Sequence, residues 1–153
     1  MELIKSLRNN DEITINLFDK EESVEVFSTG DNSFDEDGND KEDGFPLNDA
    51  EIECLNWLIA NIDICDYKKE ITEYCNEQYN AIGGKQITEA ELENEICISA
   101  IAINIGGVVE SYDGFVYPEI SFLGECECDS EHGICIGFRD KKFLGIDSQD
   151  WAL

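Results

Sequence analysis

The run Ile96-Cys-Ile-Ser-Ala-Ile-Ala-Ile-Asn-Ile105 constrains this chain more than any other segment. It is rich in β-branched residues and stops at Gly106-Gly107, so it has the length of a strand and far less than the ~20 apolar residues of a membrane-spanning helix. Such a strand must lie inside a sheet. It is either covered on both faces, or covered on one and lined with small alanines on the other.

The rest of the sequence supplies its neighbours and its cover. Glu12–Phe18 alternates with period two, placing Ile13, Ile15 and Leu17 on one side, and Val24 and Val26 repeat the pattern after Asp19-Lys-Glu-Glu22. This predicts a hairpin. Residues 114–128, 133–138 and 142–146 read as an antiparallel meander, with turns at Gly106-Gly107, at Asp113-Gly114 and around Arg139-Asp-Lys-Lys142. Asn48 followed by Glu51 predicts a capped helix with Leu55, Leu58, Ile59 and Ile62 on one face. A second helix carries Tyr67, Ile71, Tyr74 and Cys75 inward and ends at Gly83-Gly84, and Thr88 with Glu91 caps a short turn leading into Ile96. Strands grouped apart from helices indicate an α+β fold, a mainly antiparallel sheet with a helical pair packed on one face, with residues 1–153 as a single domain.

Charge narrows the function. Thirty-six Asp and Glu against ten Lys and Arg leave −26, which repels nucleic-acid phosphates and anionic membranes. The acids are spread over the whole chain, and the apolar residues are periodic, so the charge belongs to a folded surface and not to a disordered tail. Solubility needs a net charge of only about 2–8. The excess suits a cationic protein partner. Gly30–Gly44 holds seven of the acids and reads as an exposed loop, in which Asp35, Glu36, Asp37, Asp40, Glu42 and Asp43 would steer that partner. Phe34, Phe45 or Trp151 would anchor it. Asp35-x-Asp37-x-Asn39 starts like a calcium loop, but Asp40 stands where glycine is needed and Pro46 where glutamate is. No phosphate-cradling glycine motif occurs, and no cofactor is expected.

Enzyme chemistry would have to gather around the one histidine, His132, in Cys126-Glu-Cys-Asp-Ser-Glu-His-Gly-Ile-Cys135. Cys126, Cys128, His132 and Cys135 are zinc-type ligands within ten residues, although C-x-C is not the usual C-x2-C knuckle. A hydrolase would use His132 as base, Asp129 or Glu131 as its orienting partner and Cys135 or Ser130 as nucleophile. Residues this close in sequence rarely converge on one substrate atom. The simpler reading is a structured turn, in which Asp129 bonds the backbone, His132 satisfies a nearby carbonyl and Gly133 takes a positive φ. Seven cysteines, an odd number, with no export signal at the N-terminus, point to reduced thiols in a cytoplasmic protein.

The segment from Cys128 to Ile146, with Asp129, Glu131, His132 and Gly133 followed by an alternating strand to Phe138 and a turn at Asp140-Lys141, resembles a family of small bacterial domains grouped with toxin-immunity proteins. Cys128 departs from the pattern, in which an aromatic precedes the Asp. The resemblance implies a non-enzymatic immunity protein that occludes a cognate basic toxin domain such as a nuclease. Two other readings stand beside it: a small metal-binding or thiol enzyme centred on Cys126, Cys128, His132 and Cys135, and an acidic DNA mimic that inhibits a DNA-binding protein.

Overall fold

The computed structural model describes residues 3–107, 114 and 116–153. Six strands lie in one sheet in chain order: β1 (Glu12–Leu17), β2 (Lys20–Ser28), β3 (Ile96–Ile103), β4 (Ile120–Cys126), β5 (Ile134–Arg139) and β6 (Lys142–Asp147). All neighbours are antiparallel except β2 and β3, which run parallel with Val26 opposite Ile101. A parallel pair needs a long crossover. Here that crossover holds the acidic loop and all the α-helices of the described residues, α1 (Asp49–Asn61), α2 (Lys68–Ala81) and the short α3 (Leu92–Glu95).

The fold is α+β, as expected, with a mixed sheet that is mostly antiparallel. Helix α1 rests against β3 and β4, while α2 contacts β6 and the turn after β4. One apolar core joins Leu55 and Leu58 of α1 and Ile71 and Cys75 of α2 to Ile98, Ile101, Ile103, Ile134 and Ile136 of the sheet. Both capping boxes form. Asn48 Oδ1 accepts from Glu51 N and Glu51 Oε1 from Asn48 N, each at 2.9 Å, and Thr88 with Glu91 does the same before α3. These bonds satisfy backbone donors that a helix start would otherwise leave open.

Of the two arrangements expected for the Ile96 run, the structure adopts the second. A bulge between Ile98 and Ala100 resets the alternation, so that the isoleucines face the helices and Cys97, Ser99, Ala100 and Ala102 face the other way. On that second face Ala102 packs with Leu123 and Cys135 under Trp151 and Ala152 of a C-terminal 3-10 turn.

Two local expectations shift. The first hairpin turns at Phe18-Asp19, both at positive φ (52° and 64°), and not over residues 19–22. A two-residue turn of this kind matches strand twist, and the exposed residues 20–23 simply continue β2. The strand expected from 114 begins at Ile120; Pro118 lies just before it and cannot donate to a ladder. The Asp113-Gly114 turn falls partly outside the described residues, as does Phe115. Among the described residues no helix is long and apolar enough to cross a membrane.

Candidate partner interface

The acidic loop is exposed along its carboxylates but internally ordered. Phe34 and Asp40 form a bridge, and Asp35 Oδ1 accepts from the backbone N–H of Asp37 (2.9 Å) and of Asn39 (3.0 Å). Gly38 takes φ 81° at the tip. Asp35 is therefore tied up in its own turn, with one oxygen occupied by backbone donors, an arrangement typical of short acidic side chains in loops. Glu36, Asp37, Asp40, Glu42 and Asp43 are exposed.

The loop is fastened to the start of α1. Asn32 Nδ2 donates to Glu51 Oε1 (2.7 Å) and to Pro46 O (3.1 Å), and Asn32 Oδ1 accepts from Lys41 Nζ (3.0 Å). None of the six loop carboxylates is neutralised: among the described residues the ion pairs are Lys20–Glu93 at 3.8 Å and His132–Asp129 at 3.1 Å. Unscreened carboxylates on one projecting segment add their fields, which accelerates encounter with a cation.

Beside the loop runs an open groove of about 350 Å³, lined by Thr29, Asp31, Phe34, Tyr117, Asp150 and Trp151, among others. Phe34 is 44% exposed, and Trp151 is held by its indole N–H, which donates to Val116 O at 3.0 Å. Two of the three aromatics expected as anchors thus share one groove. Phe45 does not: it packs half-buried against the core with Lys41 Nζ 5.4 Å above its ring. Tyr117, Asp31 and Asp150 were not legible as groove residues, because no periodicity links loop positions that only the folded chain brings together.

The Asp129–Gly133 segment is a turn. Asp129 Oδ1 accepts from His132 N (3.1 Å) and faces His132 Nδ1 at 3.1 Å, and Gly133 N donates to Asp129 O (3.0 Å). Gly133 adopts φ 66°, and a Cβ there would meet Gln149 and the Gly124 carbonyl. Only the role of His132 differs from the expectation, since its ring meets the Asp129 carboxylate. Glu131 is exposed.

The hydrogen bond and charge of Asp129 raise the His132 pKa above the ordinary 6.5. A raised folded value means that the pair contributes stability fully below the ordinary range and loses it as pH rises through the raised value. Full exposure keeps the contribution small. With one histidine in the chain, its proton NMR titration is unambiguous: Asp129→Asn should lower the midpoint towards 6.5, and an unmoved midpoint would refute the pairing.

Cys126, Cys128, His132 and Cys135 are not brought together, which corrects the ligand set suggested by their spacing. Cys126 and Cys128 are buried on the helix side of the sheet, Cys135 is buried on the other side with Ala102 and Leu123, and His132 sits exposed in the turn. The cause is strand parity, because β5 points Ile134 and Ile136 to the helices and Cys135 away. Burial pushes the Cys135 thiol up to about 12, so it is a packed neutral thiol and not an activated nucleophile.

The family described as Domain of unknown function (DUF6985) matches residues 3–153. No curated protein and no solved structure matches the chain.

Proposed function

We propose that this chain, which belongs to the family described as Domain of unknown function (DUF6985), is a cytoplasmic immunity protein that binds a basic toxin domain and occludes its working surface, without catalysing a reaction. The observation that carries this reading is the ordered loop of unpaired carboxylates beside an aromatic groove. The loop supplies long-range attraction, and Phe34 and Trp151 supply the apolar contact that charge alone does not give. With the helical pair as cover for one face of the sheet, the Trp151 side is left to the partner. A nuclease domain fits, because it must carry a basic cleft for phosphates, and carboxylates compete for that cleft directly.

The test is a pull-down of the full chain from lysate of its native host at low and high salt, with mass spectrometry of what is retained. A single basic partner near 1:1, held less well at high salt, is the expected result. Replacing Asp35, Glu36, Asp37, Asp40, Glu42 and Asp43 by lysine should then slow association by about tenfold or more. Retention of a DNA-binding regulator of the cell would point to mimicry of DNA instead. The immunity reading fails if no specific partner is captured at either salt.

A further inference from the structure

The core holds a polar cluster that partner binding does not use. Cys75 on α2, Glu95 at the end of α3 and Cys128 in the turn after β4 bring two sulfurs and a carboxylate oxygen within 4.8 Å of one another. Their exposures are 0, 5 and 6%. A third buried thiol, Cys126, lies two residues before Cys128 and donates to the Asp129 carbonyl at 3.6 Å. Tyr79 Oη donates to Glu95 Oε1 at 2.5 Å. Three ligand-type groups thus converge from three separate stretches of chain.

Glu95 is the informative member. A buried carboxylate is costly unless a positive charge or several donors compensate it. Glu95 has the Tyr79 hydroxyl, and neither ion pair among the described residues involves it. Thiols are ordinary core filler when alone, but three of them bring no positive charge to a carboxylate. A dication would. Thiolates with one carboxylate suit tetrahedral Zn²⁺ and disfavour hard ions such as Mg²⁺ and Ca²⁺.

We infer that Cys75, Glu95 and Cys128 form the core of a structural zinc site that ties α2 and α3 to the turn after β4, with Cys126 turning from the Asp129 carbonyl to supply the fourth ligand and Tyr79 orienting the carboxylate. Burial of every ligand leaves no open position for a substrate, which separates this site from a catalytic centre. Tyr79 occupies the place of the outer hydrogen-bond partner that ligating groups usually have.

Co²⁺ and Zn²⁺ alone are the probes, added to the reduced, untagged full chain. The expected result is one Co²⁺ per chain, with tetrahedral d–d bands and sulfur-to-cobalt charge-transfer absorption, displaced by Zn²⁺. Cys75→Ser and Cys128→Ser should each weaken binding by at least about tenfold, while Cys135→Ser, on the opposite face of the sheet, should leave it unchanged. The cobalt spectrum of the unmutated chain decides the matter even if a serine variant fails to fold. A folded, reduced chain that takes up neither ion overturns the inference, as does equal weakening by Cys135→Ser. Neither outcome depends on whether a protein partner is captured.

Discussion

Replacing Phe138 with alanine is expected to cost about 3–5 kcal/mol of stability, within the range for deleting a buried aromatic ring. Phe138 is fully buried and central to the aromatic packing. Its ring lies edge-on to Trp57 of α1 (6.3 Å), Tyr67 at the start of α2 (5.6 Å), Phe122 of β4 (6.2 Å) and Phe143 of β6 (5.9 Å). Removing it leaves a void shared by both long helices and three strands, so no single neighbour can collapse into the space. A domain has only about 5–15 kcal/mol to lose. Urea unfolding should show a large drop in midpoint with an unchanged slope. Phe138→Leu should recover most of the loss, and a cost below about 1 kcal/mol for alanine would mean that the rings do not hold the helices to the sheet.

The sequence was most readable where the interaction is local. Asn48 with Glu51 and Thr88 with Glu91 span three residues, so the capping bonds follow from the residue types themselves. Alternation likewise placed Ile15, Leu17, Val24 and Val26 in the core. What stayed hidden depends on how distant segments meet. The parallel pairing of β2 with β3 is a property of the crossover between them. The bulge at Ser99 shifts the face of every later residue in β3, and a one-residue change of register reverses sidedness. The same logic governs the thiols: Cys126 and Cys135 look like one ligand group in the linear chain, but the turn between them sets them on opposite faces. Cys75 reads as an ordinary inward helix residue. Nothing in the neighbourhood of Glu95 marks it as buried, since it is one of four glutamates in the run Glu89–Glu95.

The carboxylate of Glu51 is the second place where one change should matter greatly, and it connects the fold to the proposed interface. Glu51 is fully buried. Its Oε1 closes the capping box with Asn48 N and also accepts from Asn32, which holds Lys41 and the Pro46 carbonyl. One oxygen therefore ties the start of α1 to both ends of the acidic loop. Glu51→Ala removes the return bond of the cap and leaves the half-buried Asn32 amide short of a partner, and the two losses together predict a cost of about 1–3 kcal/mol. Glu51→Gln keeps an acceptor in place and replaces the second carboxylate oxygen, which is buried without a partner, so its cost should stay below about 1 kcal/mol. Hydrogen exchange separates this local anchor from general weakening. In Glu51→Ala the amides of Asp35, Gly38 and Lys41, each bonded within the loop, should exchange faster by more than those of β4 and β5. Uniform acceleration across the sheet would show that Glu51 supports the core and not the loop. If the loop amides do loosen selectively, partner capture should fall with them although Glu51 itself is inaccessible, because attraction from clustered carboxylates depends on holding them in one place.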